Sequence, residues 1–370
     1  MVIADVANDP ILTGNVTIND LTINANAILD TNGFDLTVSG TFSNNGRLRT
    51  NGSETLSLIM DVDSGEVEYK GGTGGNISFT EFYTLIINGT GNFTLSGNTI
   101  INRDVTISSG TLDGTNRTIN IKGNWTNSVG AAGFTESNST VIFDGTITPV
   151  NVSAETFNNV EINKTGTVNA TGIWNVSGNI TLTSGTFNPN NFTHNVAGNW
   201  LETGITFTPA TGTINFNGAS NITQRAGNNF FNVTISNNAT LLSNMTMTGS
   251  LTINAGASLT MNNFNFTKTG AGAGIISGSI SSNNGNFSYG GNITINATGS
   301  IVISGIGTLT ISGTTTNSGT ITAGTGNLTF TGNYTVSNNG VLNGGTGSIT
   351  FSGSYTSNNN GALNIGAVPD

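Results

Sequence analysis

Internal repetition is the feature that most constrains how this 370-residue chain folds. The phrases FYTLIIN, FNNVEIN and FFNVTIS begin at Phe82, Phe157 and Phe230, and they mark a long repeat unit that recurs through about residue 300. The length of this unit, about 74 residues, is that of several stacked turns. Near the C-terminus, within 301–365, the unit shortens to about 20 residues, in GIGTLTISG, GTGNLTFTG and GTGSITFSG. Such periods indicate stacked structural units rather than separate globular domains.

Each unit alternates apolar residues with Thr or Asn and ends at Gly or Asn-Gly, which is typical of short strands joined by turns. A short strand pair cannot bury its apolar face alone, but coiling over the next copy stacks Ile on Ile and Phe on Phe. The pattern therefore predicts one continuous all-β solenoid over 1–370, with turns of about 20 to 25 residues. About 15 to 18 such turns give a rod about 75 to 90 Å long. An array of β-sandwiches is the alternative.

Composition limits the possible partners. Charged residues make up only 8 % of the chain, yet the regular supply of Ile, Val, Leu and Phe argues against disorder. The net charge of −10 disfavours nucleic acid and anionic membranes, and the longest apolar runs are too short to span a bilayer. The chain contains no cysteine, which excludes disulfides and thiolate sites.

The ends and the distribution of charge are also informative. The opening MVIADVANDP lacks the basic and apolar regions of a signal peptide, so a secreted form is expected to start after its leader. After Glu202 no acid precedes Asp370, and Arg225 and Lys268 are the only bases. The short repeats stop at GALNIGAVPD without an obvious cap, which favours either a longer native chain or end-to-end assembly.

The phrases GNWTN, GNWLE, TVIFDGT, FNNVEIN and LTSGTF resemble repeat units of right-handed parallel β-helix proteins from bacterial and archaeal cell surfaces. These include adhesin-like and filamentous-haemagglutinin-like proteins. The resemblance covers nearly the whole chain and implies a right-handed β-helix at the cell surface. It carries no binding residue over to this sequence.

The glycosylation motif Asn-x-Ser/Thr occurs 24 times. This predicts an N-glycosylated, extracellular protein. The competing explanation is that the motif merely places two polar residues on the same side of a strand. The candidate sites are Asn15, Asn76, Asn88, Asn92, Asn116, Asn124, Asn138, Asn163, Asn169, Asn191, Asn221, Asn232, Asn244, Asn265, Asn292, Asn327 and Asn333.

Catalytic residues are sparse, so we predict no enzyme. The only histidine is His194, which leaves little basis for a Ser-His-Asp triad. The enzymatic alternative is a polysaccharide lyase or hydrolase of the β-helix type. Such enzymes place several acids together on one face of the solenoid. Its scattered candidates are Asp104 beside Arg103, Asp113, Asp144 and Glu161.

No cofactor is predicted. Asp61, Asp63 and Glu66 in DVDSGEVE are weak candidates for calcium, but the segment lacks a full ligand series. Alternation places Glu66 and Glu68 on one side of a strand, so a solvated acidic edge is the preferred interpretation.

Two further patterns have both a functional and a structural interpretation. Trp125 and Trp200 recur at the long period, and Trp174 lies in GIWNVSG; such rings stack sugars, but their periodicity favours core packing. Pairs such as Thr308/Thr310, Thr320/Thr322 and Thr329/Thr331 are reminiscent of ice-binding faces. Ser, Asn and Gly in neighbouring repeats are expected to interrupt such a ladder, which favours ordinary surface threonines.

Together these patterns predict an extracellular structural subunit of a filament, sheath or surface layer that assembles with itself. A monomeric adhesin stalk that binds glycans or other surface polymers is the alternative.

Overall fold

The computed structural model describes residues 1–365; residues 366–370, the end of the predicted solenoid, lie outside the described part. The described residues form 48 short strands and no helix. They therefore contain no helix that is long and apolar enough to cross a membrane. The chain divides into two compact units, Met1–Asn175 (unit 1) and Val176–Asp370 (unit 2). Parallel strands stack in about 18 turns over the two units, which confirms the predicted all-β solenoid.

In unit 1, the length of chain between partners in neighbouring turns varies. Glu66 pairs with Thr84, whereas the partner of Trp125 is Val152, so the second of these turns is half as long again as the first. The strands of unit 1 are Val2–Ile3, Val16–Ile18, Leu21–Ile23, Ile28–Asp30, Leu36–Val38, Phe42–Asn44, Arg47–Thr50, Leu56–Ser57, Glu66–Tyr69, Gly75–Ile77, Glu81–Phe82, Thr84–Leu95, Thr99–Ile101, Val105–Asp113, Thr118–Ile121, Trp125–Asn127, Phe134–Thr135, Thr140–Gly145, Val150–Val152, Glu155–Phe157 and Asn159–Ala170. The strand Trp174–Val176 contains the division between the units.

Unit 2 is more regular, and its strands form three parallel sheets that we call faces 1, 2 and 3. Face 1 consists of Met245–Met247, Phe266–Lys268, Phe287–Tyr289, Leu309–Ile311, Leu328–Phe330 and Ile349–Phe351. Face 2 contains Thr193–Val196, Thr213–Phe216, Asn232–Ile235, Leu251–Ile253, Gly274–Ile276, Ile293–Ile295, Thr315–Asn317, Tyr334–Val336 and Tyr355–Ser357. Face 3 contains Ile180–Asn188, Trp200–Glu202, Thr206–Phe207, Ser220–Thr223, Asn238–Leu241, Ser258–Asn262, Ser279–Ser282, Ser300–Ile303, Thr320–Ala323, Val341–Asn343 and Ala362–Asn364.

The core is a stack of like side chains. In most strands the first and third residues are buried and the middle one points outward, as the alternation predicts. Phe266 stacks on Phe287 with ring centroids 5.0 Å apart, and Tyr334 stacks on Tyr355 at 5.9 Å. Burying each such ring contributes about 1.5 to 3 kcal/mol, so adding turns lengthens the core and stabilises the stack.

Asparagine shapes the corners, in keeping with the Asn-Gly turns read from the sequence. At many corners the Asn side-chain Oδ1 accepts a hydrogen bond from the backbone N–H of the equivalent residue one turn later. Asn244 accepts from Asn265, which accepts in turn from Asn286, at 2.9 Å in both cases. Among residues 1–365, nine of the twelve non-glycine residues with positive φ are asparagines, because Asn tolerates the left-handed conformation better than most residues.

Candidate functional site

A concave surface on unit 1 is a candidate binding site. It has a volume of about 690 Å³ and crosses five successive turns. One column of outward positions forms its floor, because Ile28 pairs with Arg47, Arg47 with Glu66, and Glu66 with Thr84. We call it the unit 1 groove; it is lined by Asn26, Ala27, Ile28, Asn45, Gly46, Arg47, Gly65, Glu66, Tyr83, Thr84, Ile86, Arg103, Asp104 and Thr106.

Ion pairs hold one side of the groove. Strand register sets Arg47 beside Glu66 and Arg49 beside Glu68. The Arg47 guanidinium donates to Glu66 at 2.7 Å and to Glu68 at 3.0 Å, and Arg49 Nε donates to Glu68 at 3.0 Å. Lys70 reaches across two turns to Asp30, at 2.5 Å. Matched charges on neighbouring strands therefore rigidify this wall.

The predicted solvated acidic edge is wrong for Glu68, because only 2 % of its side chain is exposed. Burial by itself raises the pKa of this carboxyl. The hydrogen bonds from Asn88 and Arg49, with the charges of Arg49 and Arg47, outweigh burial and bring the pKa below its ordinary value. Sequence alternation placed Glu66 and Glu68 on one side correctly, but it did not reveal the arginines that cover Glu68.

The other side of the groove carries an aromatic ring and a second charged pair. Arg103 is half-exposed, and its guanidinium lies 3.4 Å from the hydroxyl of Tyr83 and 3.5 Å from the carboxylate of Asp104. The second oxygen of Asp104 accepts a hydrogen bond from the backbone N–H of Asn124 at 2.6 Å. The groove thus offers hydrogen-bond donors, acceptors and a ring on a rigid sheet, which equips it for binding.

The four acids considered for the enzymatic alternative do not gather in this groove. Asp104 and Asp113 flank opposite ends of the strand Val105–Asp113, so they share no site. Asp144 and Glu161 lie on neighbouring strands, and burial raises the pKa of Asp144 against the charges of Lys122 and Lys164. Asp104 alone of the four lines the groove.

The predicted histidine and calcium candidates have structural surroundings. His194 is buried, its Nε2 lies 2.9 Å from the Pro189 carbonyl oxygen, and burial lowers its pKa. Asp61 accepts hydrogen bonds from the backbone N–H groups of Asn44 and Asp63, at 2.7 and 3.2 Å. Within residues 1–365, no three His, Cys, Asp or Glu side chains are grouped to hold a metal ion.

All three tryptophans are buried, which confirms the predicted core role. The structure adds acids that the sequence did not single out. Glu155 accepts hydrogen bonds from Trp125 Nε1 and Asn127 Nδ2 at 2.8 and 2.7 Å. Glu202 accepts equivalent bonds from Trp200 and Asn228, also at 2.8 and 2.7 Å. The recurrence of Trp125 and Trp200 at the long period was the only sequence signal for these acids. It did not reveal them, because Glu155 and Glu202 lie at different sequence distances from their tryptophans.

None of the 17 predicted glycosylation asparagines is buried. Thirteen are exposed, and Asn124, Asn169, Asn232 and Asn265 are half-buried. The fold supplies a reason for the motif: Asn occupies the corner, the next residue enters the core, and Thr or Ser points outward. Asn327, Leu328 and Thr329 follow this order. Exposure makes these sites accessible, while the corner role explains why the motif is frequent.

Threonines form outward columns on unit 2. Strand register on face 1 aligns, over six turns, the residues Thr246, Thr267, Ser288, Thr310, Thr329 and Thr350. Face 2 aligns Thr234, Thr252, Ile275, Thr294, Thr316, Thr335 and Thr356. On face 3, Val302 and Asn343 flank Thr322, and Asn343 is an interruption of the expected kind. On face 1 only Ser288 departs from threonine, so the expected interruption is absent between Thr310, Thr329 and Thr350.

Unit 2 also has very little surface charge. Residues 176–365 contain three charged side chains, and Glu202 and Lys268 are buried, which leaves Arg225 as the exposed one. Lys268 Nζ donates to the carbonyls of Gly270 and Gly272 at 2.8 and 2.6 Å and lies 4.8 Å from the centre of the Tyr289 ring. The net charge of −10 therefore resides in residues 1–175, which contain 17 acids and 7 bases.

No protein-family model matches the chain, and comparisons with curated proteins and solved structures likewise find no match.

Proposed function

We propose that this protein is an extracellular structural subunit whose copies associate side by side through faces 1 and 2 of unit 2. The observation that carries the proposal is the pair of charge-free threonine columns on those faces. Covering these columns desolvates hydroxyl and amide groups that can bond to one another, but it buries no unpaired charge. The low surface charge also leaves little repulsion between copies.

The spacing of the columns favours a second copy as the partner. Each turn adds one strand, so outward threonines repeat about every 4.8 Å along the stack. A surface that matches this repeat over six turns has the same strand spacing, as another copy of this chain does. Ice binding is the less favoured use of the face 1 column, because the column is single. Corner asparagines such as Asn265 and Asn327 flank it.

Charge placed in the column tests the proposal. A variant carrying Thr310→Lys and Thr329→Lys introduces two ammonium groups on adjacent turns of face 1. The matched control carries Thr17→Lys and Thr37→Lys, which are also outward neighbours but lie on unit 1. Sedimentation velocity over a concentration series should show higher oligomers for the native chain and the control, and no species larger than a dimer for the face 1 variant, which retains face 2. A native chain that stays monomeric at every concentration, or a variant that still forms higher oligomers, would contradict the proposal.

N-glycosylation at asparagines away from faces 1 and 2, such as Asn15 and Asn88, is a second part of the proposed extracellular role, and the exposure of these asparagines supports it. Intact mass spectrometry of the natively sourced protein tests it directly, since each occupied site adds a discrete glycan mass. A mass equal to that of the polypeptide would exclude glycosylation. Occupancy at Asn327, two residues before Thr329, would place a glycan over the face 1 column and would contradict association through that face.

A further inference from the structure

We infer that the unit 1 groove binds a neutral oligosaccharide chain. The inference concerns unit 1 only and is independent of association through unit 2. Its starting point is the convergence of a tyrosine ring, two guanidinium groups and two carboxylates on one rigid concave surface. Such a groove combines an apolar platform with a few placed polar groups, which is how small-ligand sites achieve orientation.

The charges of the groove identify the class of ligand. Arg47 and Arg103 oppose Glu66 and Asp104, so the four charged groups sum to zero. Glu66 and Asp104 disfavour an anionic polymer, whereas the two arginines disfavour a cationic one. Sugar hydroxyls both donate and accept hydrogen bonds, so a neutral sugar can satisfy carboxylates and guanidiniums together.

Exposure leaves these groups available to a ligand. The side chains of Glu66 and Arg103 are 40 % and 51 % exposed, respectively. Within the described residues, Arg103 Nη2 makes no hydrogen bond, so it retains donors beyond those shared with Tyr83 and Asp104. Tyr83 is half-buried and lines the groove, and an aromatic ring in such a position can pack against the C–H face of a sugar.

The length of the groove favours a chain over a single sugar. Its floor column runs from Ile28 through Arg47, Glu66 and Thr84 to the turn of Asp104. Four strand spacings separate the first and last of these turns, which makes the floor about 19 Å long. Several linked rings fit along this distance, with the ring of Tyr83 and the Arg103 donors at one end.

Titration of the full chain with defined sugars tests the inference. The probes are β-1,4-linked hexasaccharides of glucose, of N-acetylglucosamine and of mannose, with hexagalacturonate as the acidic comparison. Isothermal titration calorimetry should detect binding of at least one neutral hexasaccharide and at least tenfold weaker binding of the acidic one. Absence of binding by all three neutral probes, or preference for hexagalacturonate, would overturn the inference.

Variants then locate the binding site. Arg103→Ala and Tyr83→Ala should each raise the dissociation constant at least tenfold. Tyr83→Phe, which keeps the ring, should raise it less than threefold. Arg225→Ala is the matched control, because it removes an exposed arginine from unit 2. Circular dichroism melting establishes that each variant is folded. Native affinity in folded Arg103→Ala would place the sugar elsewhere and refute the assignment.

Discussion

Glu155 should make the stability of unit 1 fall as pH rises through the weakly acidic range. The carboxyl is buried, with 3 % of the residue exposed. Burial raises its pKa from 4.5 to about 7, against hydrogen bonds from Asn127, Trp125 and the Thr156 backbone N–H that favour the charged form. Desolvation therefore outweighs the three donors in this site.

The size and sign of the effect follow from linkage. Because the pKa is higher in the folded state, the folded protein binds the proton more tightly than the unfolded chain. The contribution of Glu155 to stability is thus greatest below pH 4.5 and falls between pH 4.5 and about 7. At about 1.4 kcal/mol per pH unit, the total loss is about 3 kcal/mol.

Glu155→Gln is the perturbation that isolates this effect. An amide has the shape of the carboxyl but does not titrate; it keeps acceptors for Trp125 and Asn127 and loses the one for Thr156. The loss of that hydrogen bond costs about 1 to 2 kcal/mol at low pH. Urea unfolding at several pH values from 4 to 8 measures the free energy of unfolding of both proteins. Their difference should fall by about 3 kcal/mol across the window, so that Glu155→Gln, the less stable protein at low pH, becomes the more stable one by about pH 7.

Two controls make the result decisive. Asp5→Asn removes an exposed carboxylate elsewhere in unit 1 and is the matched control for the loss of one acidic group. The indole N–H resonance of Trp125 should titrate near pH 7 in the native protein and remain constant in Glu155→Gln. Parallel stability profiles for the native chain and Glu155→Gln, or an unchanging Trp125 resonance, would refute the argument that burial controls this acid.

Three other substitutions provide two tests of the packing. Glu68→Gln should lower the free energy of unfolding by about 2 to 3 kcal/mol. This loss is smaller than for a fully buried ion pair, because Arg47 and Arg49 are partly exposed. A loss below about 0.5 kcal/mol in urea denaturation would contradict the prediction. Gly345→Ala should destabilise the chain more than Gly256→Ala does, since a Cβ at Gly345 meets the backbone of the preceding turn. Gly256 faces open space at φ +79°, so Gly256→Ala should lower the free energy of unfolding by only about 1 kcal/mol. Thermal melting measures both, and equal shifts would contradict the predicted close approach.

Alternation, turn residues and repetition were sufficient for the sequence to predict the strands, the stacked solenoid and the burial of Trp125, Trp174 and Trp200. These features depend on local periodicity and on the requirement that each turn buries its apolar face against the next. The corner asparagines were predictable for the same reason, because Asn suits both the left-handed backbone and a hydrogen bond to the next turn. A single continuous solenoid and the glycosylation and assembly roles stay predictions.

Only the tertiary structure decided which side chains meet. Turns differ in length, so the register that joins Glu66 to Thr84 or Trp125 to Val152 cannot be counted from the sequence. That register buries Glu68 beneath arginines from the preceding turn and aligns threonines into columns. It also brings residues from five turns into the unit 1 groove. The physical reason is that strand polarity patterns specify inside and outside, whereas partners across a solenoid are set by the length and conformation of every intervening corner.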